Sequence, residues 1–275
     1  MKLTKLAVVG LMATTVLGST VPALAASEVG APATSKGAVN FQEGGGETTP
    51  TDPGDNGSGE DGGTVVKPDP ANPGGAGFLR IDQAPNLDFG TMSIAGKTVI
   101  NPVKDVKVNF KNDSTGDFTD VKYYPTYVQI TDERSGDYKG WTLTAKSTEF
   151  KAFTQTGEAA PEGTEGLVGA QLLFSTAFVQ TNSGVEDALK PVSKAVTVEA
   201  IDGDAGHPIL AASAGKGGGQ WSAFFTKDGT EVPKPTDTQG TNEGIQLSVP
   251  ASAKKNKDYN YVADLTWTIA ATPDA

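Results

Sequence analysis

Alternating apolar and polar positions dominate the sequence, and the clearest example is the C-terminal stretch YNYVADLTWTIAATP, residues 259–273. Every second residue from Tyr261 onward is apolar, while Asp264, Thr266 and Thr268 occupy positions between the apolar ones. Because successive side chains of a strand point to opposite faces, this pattern predicts one long, half-buried β-strand.

A second alternating segment, GIQLSVP, lies just upstream and places Ile245, Leu247 and Val249 on one face. The connection PASAKKNKD between the two segments is polar and has no apolar period of its own. Two alternating segments joined by a short polar connection are typical of a hairpin. The sequence therefore predicts that these two strands pair with each other at the end of the fold.

Further strand candidates follow one another from Phe78: FLRI, LDFG, VKDVKVNF, TYVQIT, GWTLTA, AQLLFST, KAVTVEA and QWSAFFT. Turn-rich clusters such as KNDSTGD and PEGTEG separate them, and no segment shows a helical period. The pattern predicts an all-β fold over residues 77–275. We expect a single β-sandwich of roughly nine or ten strands, immunoglobulin-like or jelly-roll-like, with a closed barrel as the alternative.

Residues 1–25 have the pattern of a signal peptide. Lys2 and Lys5 precede an apolar run that extends to Leu17, and a small-residue cleavage box ends at Ala25. We therefore expect an exported protein. No later apolar run is long enough to span a membrane, and we expect neither a lipid anchor nor a covalent wall anchor.

The next part, residues 26–76, differs from the rest in composition. Val39 and Phe41 alternate with small or polar neighbours, which predicts a short strand over residues 36–41. From residue 42 to residue 76 the chain is rich in glycine, proline, threonine and acids, with one lysine and no aromatic residue. Such a segment buries too little apolar area to offset its ordering entropy, so we expect a disordered acidic linker.

The net charge and the absence of cysteine limit the classes of function that the chain can have. The formal net charge is −11, and it becomes −13 without the signal peptide, which carries two lysines and no acids. An acidic chain of this kind argues against nucleic-acid binding. It also argues against simple charge attraction to an anionic bacterial wall. The absence of cysteine excludes disulfides and thiolate metal sites.

Two tryptophan motifs give the sequence a resemblance to a known family. Trp141 and Leu143 form the first, in GWTLTA, and Trp267 and Ile269 form the second, where isoleucine replaces leucine. Together with LDFG and LSVP, these motifs are similar to those of the WxL-domain cell-surface proteins of Gram-positive bacteria. The resemblance covers nearly the whole mature chain. It implies non-covalent attachment to peptidoglycan, with the four motif residues as the candidate binding residues.

The motif alone leaves two roles open for these residues. Each pair places one aromatic and one aliphatic side chain on the same strand face, either in the core or exposed as a platform for sugar rings or a protein partner. The lysines of AKKNK, Lys254, Lys255 and Lys257, are the only basic cluster. They either discourage edge pairing at a hairpin tip or contact wall phosphate or carboxylate.

No catalytic, cofactor or metal site stands out. His207 is the only histidine and lies in a predicted loop, so a Ser-His-Asp triad has a single possible centre. Asp202 and Asp204 do not continue into a calcium-binding loop, and GKGGG lacks the Ser or Thr of a phosphate loop. We expect a non-enzymatic protein at the cell surface, bound to the cell wall. The alternatives are a docking module for another surface protein and an adhesin for host matrix or glycans.

Overall fold

The computed structural model describes residues 36–41, 46, 50–55, 63–182, 184–230 and 232–271. The chain divides into two compact units, residues 1–41 and 42–275. In the first unit, residues 36–41 form no strand, although the sequence predicts a short one, and Val39 and Phe41 expose 72% and 92% of their surface. The predicted signal peptide lies outside the described residues.

The described part of the second unit is built almost entirely of short strands, with one turn of 3₁₀ helix at Asp187–Leu189. The first nine strands are β1 (Val66–Asp69), β2 (Leu79–Gln83), β3 (Val99–Lys104), β4 (Val106–Lys111), β5 (Phe118–Tyr124), β6 (Tyr127–Asp132), β7 (Trp141–Ser147), β8 (Lys151–Thr154) and β9 (Gln171–Phe174). The others are β10 (Ala177–Thr181), β11 (Val192–Ser193), β12 (Val196–Glu199), β13 (His207–Ala212), β14 (Gly219–Phe225), β15 (Thr241–Val249), β16 (Tyr259–Val262) and β17 (Leu265–Ala270).

These strands form five small antiparallel sheets. Three have four strands, in the orders β10-β14-β6-β2, β11-β13-β7-β17 and β12-β9-β15-β3, and the remaining sheets are β1-β4-β5 and β16-β8. The all-β fold is confirmed, but the single sandwich is wrong. Register shifts contribute to the difference: one lies within the β15–β3 ladder and one within the β13–β7 ladder. Such irregularities bend strands, which favours several small sheets over two continuous ones.

One main core joins the three four-stranded sheets. Its fully buried side chains include Ile130 of β6, Leu143 of β7, Trp221 of β14 and Ile245 of β15. A smaller cluster around Tyr124, Tyr127 and Phe224 lies under the three-stranded sheet. Both clusters are apolar faces of alternating strands, which is the burial that the sequence pattern predicts.

The segment expected to be a disordered linker is ordered where the structure describes it. Val66 is buried, and its strand β1 pairs with β4. Thr51 is also buried: its N–H donates to Gln129 Oε1 at 2.9 Å, and its hydroxyl donates to Gln220 Oε1 at 2.6 Å. The expectation of disorder therefore does not hold for residues 50–55 and 63–76, because side chains of the sheet bind the backbone of this acidic segment.

The predicted closing hairpin is also wrong. β15 pairs with β3 and β9, whereas β16 pairs with β8 and β17 pairs with β7. The C-terminal stretch is two strands, interrupted at Ala263 and Asp264, although its alternation of half-buried and exposed residues matches the prediction. Pairing depends on contacts with strands remote in sequence, which a local pattern does not report.

Candidate functional site

The two tryptophan motifs lie side by side in one sheet. β7 carries the first motif and β17 the second, and the two strands are antiparallel neighbours. In their register Ile269 is opposite Leu143 and Trp267 is opposite Ala145. The fold thus joins motifs that are more than 120 residues apart in sequence, and no pattern in the sequence indicates that the two strands are partners.

The first motif belongs to the core. Trp141 and Leu143 are fully buried, and Trp141 Nε1–H donates to the carbonyl of Gly217 at 2.9 Å. Gly217 has φ +80°, and a Cβ built on it would lie 2.3 Å from Ala212 Cβ and 2.6 Å from Trp141 Nε1. The glycine-rich GKGGG segment therefore allows close approach to the buried indole. In this conformation no ligand can reach Trp141 or Leu143.

The second motif is only half-buried. Trp267 packs edge-on against Phe174, with ring centroids 5.9 Å apart, and at a tilt against Phe225 at 6.3 Å. Its Nε1 atom is buried and has no hydrogen-bond partner among the described residues. Ile269 is likewise half-buried. Among the described residues β17 is the outermost strand of its sheet, so one edge of the second motif has no neighbouring strand in that part of the chain.

Two adjoining cavities open along the C-terminal strands. We call the first, about 720 Å³, the edge cleft, because it runs beside β17 and includes Trp267. We call the second, about 490 Å³, the tyrosine pocket, because Tyr259 and Tyr261 line it. Tyr261 and the segment 87–89 line both cavities. The predicted site residues Trp267, Lys255 and Lys257 therefore lie in neighbouring cavities.

The LDFG motif forms the wall between these cavities as a loop, not as the predicted strand. Phe89 is buried and anchors the loop in the core. Asp88 accepts a hydrogen bond from Lys104 Nζ at 2.7 Å and one from the N–H of Gly90 at 2.7 Å. The hydrogen bond from Lys104 lowers the pKa of Asp88, and burial partly opposes this effect. The carboxylate therefore fixes the loop that separates the two cavities.

The tyrosine pocket has an apolar floor and a polar rim. Core residues such as Leu167 and Val249 form the floor. Tyr259 and Tyr261 point to the same face of β16, since they are two residues apart in a strand. Tyr261 Oη accepts from the N–H of Asn256 at 3.0 Å. Gln155, Asn256 and Asn260 also line the pocket, and the side chain of Asn260 points to the face of β16 opposite to the two tyrosines.

The family model described as WxL domain surface cell wall-binding matches residues 28–273. The chain belongs to the WxL family. No curated protein and no solved structure matches it. The WxL protein is therefore associated with the cell surface through a cell wall-binding domain. Among the residues described, no helix is long and apolar enough to cross a membrane.

The three lysines of the WxL domain have different environments. Lys254 forms an ion pair with Glu165. Lys255 Nζ donates to the carbonyls of Pro250 at 2.8 Å and Ala253 at 3.0 Å, so it closes the turn before β16. Lys257 is the most exposed of the three and contacts Asp258 at 2.6 Å. The hydrogen bond to Asp258 raises the pKa of Lys257.

The residues considered for catalysis and metal binding, His207, Asp202 and Asp204, line neither of the two cavities. His207 begins β13 and is not in a loop as predicted, and its Nε2 lies 3.2 Å from Asp204 Oδ2. Asp202 is 3.1 Å from Lys151 Nζ and accepts from the N–H of Glu149 at 3.2 Å. In the described ranges no group of three or more His, Cys, Asp or Glu residues could hold a metal ion.

Proposed function

We propose that this WxL protein is exported and attaches without a covalent bond to the peptidoglycan of a Gram-positive wall, and that it contacts the wall at the tyrosine pocket. The predicted signal peptide supports export, and the family match supports wall binding. The observation that carries the choice of site is the pocket itself, which is lined by two tyrosines of one strand face together with Gln155 and Asn256.

The size and chemistry of the pocket suit a sugar. A volume of about 490 Å³ lies within the ~300–1,000 Å³ range of small-ligand sites. Aromatic rings bury the apolar face of a ligand, while amides and hydroxyls bind its polar groups. Peptidoglycan presents such mixed surfaces on its N-acetylated sugars. The pocket therefore offers recognition by shape and hydrogen bonds, which an acidic protein needs on an anionic wall.

The motif residues have a positioning role in this proposal. Trp141 and Leu143 lie in the core, and Trp267 and Ile269 extend the same sheet. Together they hold β17, and the chain preceding it, where β16 forms one side of the pocket. Lys257 is the proposed basic contact, because it lines the pocket and is the most exposed of the three lysines, and its partner Asp258 is itself exposed. Lys254 does not line the pocket, and Lys255 is bound to turn carbonyls.

Retention on peptidoglycan stripped of protein and teichoic acid tests this proposal. We would compare the chain without its signal peptide with its Tyr259→Ala variant and with Tyr123→Ala, which removes a half-buried tyrosine of β5 outside the pocket. We expect Tyr259→Ala to bind about tenfold more weakly, equivalent to ~1.4 kcal/mol. Tyr123→Ala should bind like the parent, and circular dichroism should show that all three are folded.

A lysine pair tests the charge contact in the same assay. Lys257→Ser should weaken retention at low salt and reduce its salt dependence, because an exposed charge contact is screened by salt. Lys97→Ser is the control, since Lys97 is exposed and does not line the pocket. Failure of a well-folded parent to bind stripped peptidoglycan would refute the proposal, as would equal losses in the tyrosine variant and its control.

A docking module for another cell-surface protein is the second candidate. It is favoured by Ile94 and Ile100, which expose 59% and 50% of their surface beside the tyrosine pocket and on β3, an outermost strand. Exposed apolar side chains near a strand edge suit a protein partner. Retention on walls that keep their proteins, without retention on stripped peptidoglycan, would establish this candidate instead.

A further inference from the structure

Two unbroken stretches of chain line the edge cleft, residues 84–89 and residues 261–267. Neighbouring residues of a strand point to opposite faces, so an unbroken run of lining residues means that the cleft meets the edge of the strand. Main chain therefore forms much of the border of this cavity. An opening of this kind suits an extended ligand that runs beside the chain.

The strand edge that meets the cleft has no partner strand among the described residues. β16 pairs with β8 and β17 pairs with β7, and β7 and β8 follow each other in the chain, as do β16 and β17. Both pairings therefore use the same edge of the stretch 259–270. The other edge presents main-chain N–H and C=O groups. Such groups bind the amides of an added extended chain.

Core side chains form the floor of the cleft. Ile81, Phe89, Phe150 and Leu172 line it, and all four belong to the main apolar cluster. Small apolar side chains of a ligand would find contacts on this floor. The volume of about 720 Å³ lies within the ~300–1,000 Å³ range of small-ligand sites. The cleft therefore has room for a short peptide with small side chains.

The two acids that line the cleft differ in their partners. Asp88 is paired with Lys104. The main chain of Asp264 is fixed by Thr148, whose Oγ1 accepts from its N–H at 2.9 Å and whose N–H donates to its carbonyl at 3.0 Å. Among the described residues the carboxylate of Asp264 has no hydrogen bond or ion pair, and no lysine or arginine lines the cleft. The cleft therefore favours a ligand that carries an amine.

The cleft continues into the tyrosine pocket, because Tyr261 and residues 87–89 line both cavities. Peptidoglycan has a matching construction. Every second sugar of its glycan carries a short stem peptide of alanines, an acidic residue and a diamino acid, and the free amine of that diamino acid is a cation. A sugar in the tyrosine pocket would bring this peptide to the cleft.

We propose that the edge cleft binds the stem peptide of peptidoglycan while the tyrosine pocket binds the sugar that carries it. This inference rests on the wall contact proposed above. The peptide lies along the free edge of residues 261–267, its alanine side chains cover the apolar floor, and its amine pairs with Asp264. The stem contains D-residues, so it forms single hydrogen bonds with the edge and not a continuous ladder. The ligand class is then a glycopeptide, not a bare glycan.

Two soluble probes test the proposal by calorimetric titration of the chain without its signal peptide. One is the disaccharide of peptidoglycan, and the other is the same disaccharide carrying a tetrapeptide with lysine at its third position. We expect the glycopeptide to bind at least tenfold more tightly than the disaccharide. Asp264→Asn, or acetylation of the lysine amine, should weaken glycopeptide binding about threefold, as for an exposed ion pair. Acetylation should have no further effect on Asp264→Asn.

Asp137→Asn is the matched control, since Asp137 is exposed and lines neither cavity. This variant should bind both probes like the parent. Asp264→Asn should bind the disaccharide like the parent, because Asp264 does not line the tyrosine pocket. Circular dichroism should show that all the variants are folded.

The indole N–H signals of the three tryptophans locate the bound peptide in NMR spectra. Trp141 and Trp221 are fully buried and donate to the carbonyls of Gly217 and Gly218, whereas Trp267 lines the cleft. The glycopeptide should shift the signal of Trp267, identified by its loss in Trp267→Phe, and leave the other two in place. The disaccharide should shift none of the three.

The two proposals fail in different ways. Equal binding of both probes would refute the stem-peptide site and leave the tyrosine pocket standing. Glycopeptide binding that responds to Asp264→Asn but not to Tyr259→Ala would refute the tyrosine pocket alone, and a folded parent that binds neither probe would refute both. A Trp267 signal that changes with protein concentration and not with the glycopeptide would assign the cleft to a second copy of the chain instead.

Discussion

The side chain of Asn182 binds the backbone of residues 52–55, and this contact leads to our most quantitative prediction. Asn182 is fully buried, and its Nδ2 donates to the carbonyls of Asp52 at 2.9 Å and Asp55 at 2.8 Å. Its Oδ1 accepts from Ser222 Oγ at 2.6 Å. Asn182→Ala removes these three bonds and a longer one, of 3.4 Å, from Nδ2 to the carbonyl of Pro53. Each is worth about 1 kcal/mol, so we expect the free energy of unfolding to fall by about 2–4 kcal/mol.

Urea denaturation measures that loss, and limited proteolysis shows where the structure opens. A protease that cuts after acidic residues should cleave after Asp55 much faster in Asn182→Ala than in the parent; Asp52 is followed by Pro53, and such proteases do not cut before proline. The control is Asn109→Ala, since Asn109 is half-buried and donates a single bond to the carbonyl of Lys67 at 3.1 Å. The control should lose no more than about 1 kcal/mol.

Two results would refute this reasoning. If the losses in free energy of unfolding caused by Asn182→Ala and Asn109→Ala differed by less than about 0.5 kcal/mol, the hydrogen bonds of Asn182 would not stabilise the fold. If the parent were cut after Asp55 as rapidly as the variant, the segment would behave as the disordered linker that its composition predicts. Resistance of the parent to cleavage, together with a large loss of free energy of unfolding in Asn182→Ala, would establish that Asn182 holds this segment in place.

Three further changes test the core, a glycine and an ion pair. Trp141→Ala should cost about 3–5 kcal/mol in urea denaturation, and a loss below about 1 kcal/mol would contradict its burial. Gly217→Ala should lower the melting temperature more than Gly215→Ala: both have positive φ, but only the former brings a Cβ against the core, so equal shifts would contradict the packing. Asp88→Asn should be less stable than the parent above about pH 4. Lys104 lowers the pKa of Asp88, so this difference should shrink as the pH falls through that pKa, and a constant difference would contradict it.

Several features of the fold were predictable from local pattern. The alternation from Tyr261 to Ile269 gave the correct faces of β16 and β17, and strands such as β6, β7 and β14 lie where the sequence placed them. Pro102 lies within β3, and β3 is an outermost strand, which is where proline is tolerated in a sheet. The two tryptophan motifs also indicated the family, which the family comparison confirms.

Other strands were missed because their patterns are weak or interrupted. β5 carries charged and polar residues at its exposed positions, and β13 begins with His207 and Pro208, which resemble a loop in sequence. The acidic segment was misjudged for a related reason. Its composition has little apolar area, but Thr51 and the carbonyls near it are bound by Gln129 and Asn182. Composition does not report such side chain to backbone bonds.

The sequence by itself determined the all-β character and the faces of β16 and β17, because alternation depends on residues near each other in the chain, and its two tryptophan motifs indicated the family. Only the tertiary structure decided which strands pair, that Trp141 is sealed while Trp267 borders a cleft, and that Tyr259 and Tyr261 meet the LDFG loop. These outcomes depend on contacts between residues far apart in sequence. The alternation of apolar and polar residues within one strand carries no information about which strand it pairs with.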